Sequence, residues 1–132
     1  EHWRRVLHNG REIATATGAN LKVVELFAVI HDSKRENEGH DPDHGARAAD
    51  YAKTLQGEWF DLSAVELNLL CEACRYHSEG FTAADLTVQT CWDADRLDLG
   101  RVGIEPDTRL LCTDYAKRPE VLITAYERSL GR

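Results

Sequence analysis

His31 and Asp32 are the first residues that could do chemistry together, because they directly follow the apolar run at residues 26–30. An imidazole nitrogen and a carboxylate oxygen are both good ligands for divalent ions such as Mn, Fe, Ni, Co or Zn. The pair lies where a core helix is expected to end and open toward a cleft. A His-Asp dipeptide is common by itself, so its meaning depends on what else the fold brings beside it.

A second group of acids follows later, where Asp93, Asp95 and Asp98 fall within six residues of a predicted helix. Helical spacing turns Asp95 toward the apolar face and Asp93 away from it, while Asp98 lies on the adjoining stripe. A buried aspartate needs a compensating partner, since an isolated charge is costly to bury. Either a metal ion or an arginine such as Arg47 or Arg75 would serve.

Histidine is the other candidate ligand, and it occurs at positions 2, 8, 31, 40, 44 and 77. A lone histidine is more often a surface or hydrogen-bonded core residue than a ligand. His40 lies in a polar stretch, and His8 is rotated by about 120° from His2 on a helix. We therefore expect His8 and His40 to be exposed.

Four short segments, taken in order, resemble the HD superfamily of metal-dependent phosphohydrolases, whose pattern is H…HD…D on separate helices. The segments are His2-Trp3-Arg4-Arg5-Val6, Val29-Ile30-His31-Asp32, Arg75-Tyr76-His77-Ser78 and Ala94-Asp95-Arg96-Leu97-Asp98. The resemblance covers about residues 2–103 and leaves the stretch from about 104 onward unassigned. It implies that His2, His31, Asp32 and Asp95 bind a metal, with Asp95 as the ligand in preference to Asp93.

Some members of that superfamily bind two metals through additional histidines, and His44 and His77 match those positions. The resemblance thus implies one or two divalent ions, drawn from Mn, Fe, Ni, Co, Zn and Mg. His44 follows Asp32 by only 12 residues, which is closer than in many two-metal members. The alternative for His44 is a contact with phosphate at the start of a helix, where backbone N–H groups favour anions.

The implied reaction is attack of a metal-activated water on phosphorus, with Asp32 and Asp95 orienting that water. Several one-metal HD nucleotidases carry an acid three residues after the HD aspartate, but this chain has Arg35 there and its nearest acid is Glu36. The water is therefore activated by metal alone or by Glu36. Cations would neutralise the phosphoryl charge. The candidates are Lys34, Arg35, Arg47 and Arg96.

The periodicity of apolar residues predicts an all-α chain, with glycines at positions 18, 57, 80 and 100 ending helices. We expect a single domain over 1–132, a compact helical bundle of the HD type with about six to seven helices. Helices are predicted over about 2–17, 21–30, 42–56, 62–77, 83–99, 108–117 and 119–130.

Composition narrows the class of partner. A net charge of −7 argues against a nucleic-acid polymer, and no apolar run approaches the ~20 residues that span a membrane. We expect no secretory leader, and therefore we expect the four cysteines to be reduced thiols in a cytoplasmic protein. Cys71, Cys74 and His77 resemble half of a zinc site, but their mid-helix spacing favours buried thiols.

These features together predict a metal-dependent phosphohydrolase acting on a nucleotide or another small phosphorylated metabolite. Whether it cleaves a phosphomonoester, phosphodiester or pyrophosphate bond stays open. One alternative is a non-catalytic HD module that binds metal or nucleotide as a sensor or partner-binding domain. Another is oxygenase chemistry, which would need two irons with His44 and His77 as ligands. A homo-oligomer is compatible with all three.

Overall fold

The computed structural model describes residues 1–37 and 39–132, and in these residues it contains α-helices and no β-strand. The helices are α1 (His2–Thr17), α2 (Leu21–Ile30), α3 (His44–Leu55), α4 (Ala64–Tyr76), α5 (Leu86–Arg96) and α6 (Pro119–Ser129). Two short 3₁₀ helices, Leu99–Val102 and Thr108–Leu110, lie between α5 and α6. The predicted all-α class and compact helical bundle are confirmed.

Helix ends follow their local sequence signals. Gly18 adopts φ 81° and ends α1 by donating its N–H to Ala14 O. Two residues later the Asn20 side chain accepts the N–H of Val23 and starts α2. Ser63 and Glu66 form a reciprocal capping box at the start of α4. These caps fix where α2 and α4 begin, and therefore where their C-terminal ends emerge.

Predicted boundaries of two helices, α3 and α5, are wrong. α3 begins at His44 rather than at 42, because the Asp41 carboxylate accepts from Arg47 and from Glu36 N instead of capping the helix. α5 spans Leu86–Arg96 rather than 83–99, and Gly100 lies inside the following 3₁₀ helix.

The predicted helix over 108–117 is also wrong beyond its first turn. Only Thr108–Leu110 is helical, as a 3₁₀ turn. The N–H groups of Cys112 and Thr113 donate to the buried Asp93 carboxylate at 2.7 and 2.8 Å, so they do not form helical hydrogen bonds.

The core lies between α1, α2, α4 and α5, where Val24, Phe27, Leu70 and Trp92 are buried. Trp92 also donates its indole N–H to Ala73 O at 3.0 Å, which ties α5 to α4. The described part of the chain contains no helix that is long and apolar enough to cross a membrane.

α3 and α4 approach each other very closely at Gly45. A Cβ at this position would lie 2.6 Å from Cys74 O and 2.7 Å from Arg75 O. Only glycine leaves room for this backbone contact. The contact fixes the first residue of α3, His44, beside the end of α4.

The C-terminal stretch that the sequence left unassigned packs against α1. Leu97, Leu111, Val121 and Ala125 form a second buried cluster with Ile13 of α1. The Arg128 guanidinium of α6 also donates to Asn9 Oδ1 at 2.7 Å. This stretch therefore holds the N-terminal helix from its far side.

Candidate metal centre

Three helix ends bring the first group of predicted ligands together. His2 is the first residue of α1, His31 and Asp32 follow α2, and Asp95 lies in the last turn of α5. His2 Nε2 is 3.1 Å from His31 Nε2 and 3.0 Å from Asp95 Oδ1, and His31 Nε2 is 3.3 Å from that same oxygen. Asp32 Oδ2 lies 3.6 Å from His2 Nε2. We call these four residues the first half of the cluster.

His44 and His77 form a second half around the other oxygen of Asp32. His44 begins α3 and His77 directly follows α4, and their Nε2 atoms are 2.8 Å apart. Asp32 Oδ1 lies 3.2 Å from His44 Nε2 and 3.4 Å from His77 Nε2. Asp32 therefore presents one oxygen to each half, as a carboxylate shared by two ions would.

The spacing of these atoms suits metal ligation. Metal–ligand bonds of about 2.0–2.2 Å place neighbouring ligand atoms about 3.0–3.4 Å apart around one ion. In three overlapping triplets, one ligand atom from each residue lies within 4.8 Å of the others. The triplets are His2-His31-Asp32, His31-His77-Asp95 and Asp32-His44-His77. Several groups in the cluster can thus hold a metal ion.

All four imidazoles have the same hydrogen-bonding arrangement. Each Nδ1 donates to an oxygen outside the cluster, at 2.6–2.9 Å. The acceptors are Asp98 Oδ2 for His2, Phe27 O for His31, Asp41 O for His44 and Cys74 O for His77. These bonds leave Nε2 as the nitrogen that faces the cluster. Two unprotonated nitrogens at 2.8 or 3.1 Å repel each other, so a proton or a metal ion must lie between the nitrogens of each pair.

Asp98 supports His2 from behind. It is almost fully buried, and its Oδ1 accepts from Arg5 Nε at 2.6 Å while Oδ2 accepts from His2. A carboxylate behind a ligating histidine fixes the ring orientation and raises its basicity. The sequence placed Asp98 only beside the ligand face and missed this role. Its position three residues after Asp95 was the available signal.

Charges within the cluster oppose the effect of burial. Burial lowers the pKa of His2, but its hydrogen bonds with Asp95 and Asp98 raise it to about 9. Burial raises the pKa of Asp95, yet the neighbouring charge of His31 and the hydrogen bond from His2 hold it well below its usual value. The pKa of Asp32 is likewise lowered, against burial, by its hydrogen bond with His77. Asp32 and Asp95 are thus anionic, and protonated histidines or metal ions balance their charge.

The alternative arginine partners of Asp95 are engaged elsewhere. Arg47 binds Asp41 at 2.7 Å, and Arg75 lies 3.5 Å from Asp50. Asp93 turns away from the cluster, but it is fully buried rather than on a polar face, and it accepts the N–H of Thr113.

The structure brings only some of the other predicted residues to the cluster. Arg35 and Arg96 line the adjacent cleft, whereas Lys34 lies 4.0 Å from the centroid of the Tyr51 ring and Arg47 contacts Glu36. Glu36 itself is exposed, and its carboxylate oxygen is 3.2 Å from Arg47. It is therefore not placed to activate a water at the cluster.

The cleft beside the cluster has a volume of about 300 Å³. The cleft is lined by four residues of the cluster, Asp32, His44, His77 and Asp95. It is also lined by three arginines, Arg35, Arg96 and Arg101. Arg101 was not among the predicted site residues. It follows α5 in a 3₁₀ helix, and no motif marked it.

The remaining histidines and the cysteines lie away from this chemistry. His8 and His40 are exposed, as predicted. Cys71, Cys74 and Cys91 are free and buried, and Cys112 is free and partly buried. His77 directs Nε2 at His44 rather than at a thiol, so the segment from Cys71 to His77 is not a zinc half-site.

Comparisons of the chain with protein-family models, curated proteins and solved structures found no match. The case for a function therefore rests on the cluster, its cleft and the sequence pattern.

Proposed function

We propose that this protein is a metal-dependent phosphohydrolase of the HD kind, acting on a nucleotide or another small phosphorylated metabolite. The proposal is carried by one observation. Six side chains that follow the order H…HD…H…H…D along the chain converge on one cluster. These are His2, His31, Asp32, His44, His77 and Asp95. Residues that are far apart in sequence meet through their metal-binding atoms, which supports a shared task.

The two halves of the cluster would hold divalent ions differently. His2, His31 and Asp95 surround one position together with Asp32, whereas His44 and His77 share only Asp32 at the other. Fewer protein ligands leave more coordination positions for water or substrate. His44 and His77 also line the cleft, so we assign substrate binding to that side.

A bound divalent ion supplies a water of near-neutral pKa and polarises a phosphoryl oxygen. The chain's own residues prepare the site for this chemistry. Asp32 and Asp95 stay anionic because their pKa values are held low, so both can ligate. Asp95 turns Oδ1 to His2 and His31, so its other oxygen can accept a hydrogen bond from water. Arg5 and Asp98 keep His2 in the orientation that it needs.

The test is reconstitution of metal-free protein with Mn, Co, Ni or Mg, followed by a screen of nucleotides and phosphomonoesters for phosphate release. We expect wild-type protein to be active, and His31→Ala and Asp95→Ala to lose both metal and activity. Matched controls are His8→Ala and Asp50→Ala, which remove the same side chains from exposed positions.

The other outcomes have definite meanings. Unchanged metal content and activity in both cluster variants would refute the proposal. Stoichiometric metal without hydrolysis of any compound would favour a binding or sensor module. Two irons per chain with oxygen consumption would favour an oxygenase, the chemistry that needs both His44 and His77.

A further inference from the structure

Two arginines in the cleft lack the carboxylate partner that most other arginines have. Arg5, Arg11 and Arg47 each hold a carboxylate oxygen at 2.6–2.7 Å. Within residues 1–37 and 39–132, Arg96 and Arg101 have no carboxylate within 4.0 Å, although both border the acidic cluster. Their charges are free to meet a ligand.

Arg96 gives the stronger indication of an anion site because it is only 7% exposed. Its Nη1 donates to Leu110 O at 2.7 Å and lies 3.8 Å from Cys112 Sγ, while Nη2 has no partner in the described chain. The Trp92 ring, whose centroid is 5.3 Å from Arg96 Cζ, offsets part of this buried charge, and so do the nearby C-terminus of α5 and the Leu110 carbonyl. They do not supply a full negative charge, and a buried guanidinium without one is costly.

Arg101 reaches the same cleft from the next turn of chain. It is exposed, and its Nη1 donates to the backbone oxygen of Asp98 at 3.0 Å. That bond anchors one nitrogen and leaves the rest of the guanidinium available. Arg96 and Arg101 are five residues apart, and one nitrogen of each is held by a backbone oxygen, that of Leu110 for Arg96 and that of Asp98 for Arg101.

We propose that Arg96 and Arg101 bind the phosphoryl group of the substrate and hold it against the metal cluster. This inference rests on the proposed function and names its anion-binding residues. A guanidinium presents two parallel N–H donors to the oxygens of a phosphate, which gives both charge and orientation. Nη2 of Arg96 is closed to solvent in this structure, so the cleft wall around it must shift before a phosphate oxygen can reach this nitrogen.

The experiment measures binding of inorganic phosphate to Mn²⁺-saturated protein by calorimetry at fixed ionic strength. Arg101→Ala and Arg96→Met should each weaken phosphate binding about tenfold or more, the usual effect of losing a charge-assisted hydrogen bond. Arg11→Ala is the matched control, because it removes the same charge from a surface pair with Glu25. We expect its phosphate affinity to stay within about twofold of wild type.

The outcomes separate this inference from the proposed function. If Arg101→Ala binds phosphate as tightly as Arg11→Ala does, the inference is wrong, even if hydrolysis is found. If phosphate binding depends on both arginines but no compound is hydrolysed, the anion site stands and the hydrolase proposal fails. Should Arg96→Met not fold, Arg96→Lys and the exposed Arg101→Ala decide. In an active enzyme, Arg101→Ala should raise KM more than it lowers kcat.

Discussion

Replacing Gly45 by alanine should damage one half of the cluster and spare the other. The new Cβ would lie 2.6 Å from Cys74 O, and both contacting atoms of α4 are backbone atoms that cannot rotate away. An ordinary contact of 3.4 Å requires α3 and α4 to separate locally by about 0.8 Å. His44 adjoins Gly45, and His77 follows the contact on α4. The separation of the helices should therefore lengthen the 2.8 Å distance between the Nε2 atoms of His44 and His77.

Two opposing effects determine how much Gly45→Ala changes the free energy of unfolding. Overpacking of a tight interior costs about 1–3 kcal/mol. Alanine in place of glycine inside a helix returns up to about 1 kcal/mol. We therefore expect a net loss of about 1–2 kcal/mol, or about 4–8 °C in the unfolding midpoint.

The assay combines thermal unfolding with metal analysis of wild type and Gly45→Ala. We expect the variant to fold and to keep the ion at His2, His31 and Asp95 while binding the other more weakly. Gly10→Ala is the matched control, since its Cβ would press on the Val24 side chain between α1 and α2, away from His44. If Gly45→Ala kept wild-type stability and bound every metal with wild-type affinity, our reasoning about this contact would be refuted.

Three further predictions concern the surroundings of the cluster. Asp93→Ala should lower the free energy of unfolding by about 2–4 kcal/mol, because it leaves buried donors such as Thr113 N–H without an acceptor. Chemical denaturation measures this loss, and metal analysis should show an unchanged metal content. Arg35→Met should tighten metal binding beside His44 by about tenfold, because Arg35 Nη1 lies 3.0 Å from His44 Nε2 and repels an incoming cation. A chelator competition measures the metal affinity, and equal affinities of wild type and variant would contradict this prediction. His2 has a pKa of about 9 in the metal-free protein and is protonated at pH 7. Metal binding should therefore release the His2 proton and become tighter as pH rises toward 9. Calorimetry in buffers of different ionisation enthalpy measures the proton release, and binding without proton release would contradict the prediction.

Local sequence signals were sufficient for most of the fold. Glycine at 18 and asparagine at 20 act through the nearest few residues, so α1 and α2 were predicted to within a residue. The predicted helix over 108–117 failed because Asp93, far away in sequence, takes the N–H groups that the helix needed. A pattern based on nearby residues contains no information about such a partner.

The residues that form the cluster were more predictable than the residues around them. The order of histidines and aspartates indicated which residues converge, and helical facing distinguished Asp95 from Asp93. Despite the short interval between Asp32 and His44, the close approach of α3 to α4 at Gly45 places His44 beside His77, and direct ligation by His44 stays a prediction.

Residues that act through long-range geometry were the ones misjudged. Glu36 was expected near the metal from its proximity to Asp32, but the chain turns it toward Arg47. Arg101 belongs to no motif, and only the path of the chain after α5 brings it to the cleft. Spacing in sequence therefore predicted which histidines and aspartates converge but not their charged neighbours.

The most direct test of the central claim is the metal content of purified protein, compared between wild type, Asp32→Ala and His44→Ala. The account predicts that wild type binds divalent metal at one to two ions per chain. Asp32→Ala should lose nearly all of it, because Asp32 faces both halves, whereas His44→Ala should lose only the ion beside His77. Wild-type protein without affinity for any divalent ion, or Asp32→Ala with undiminished metal content, would contradict the account.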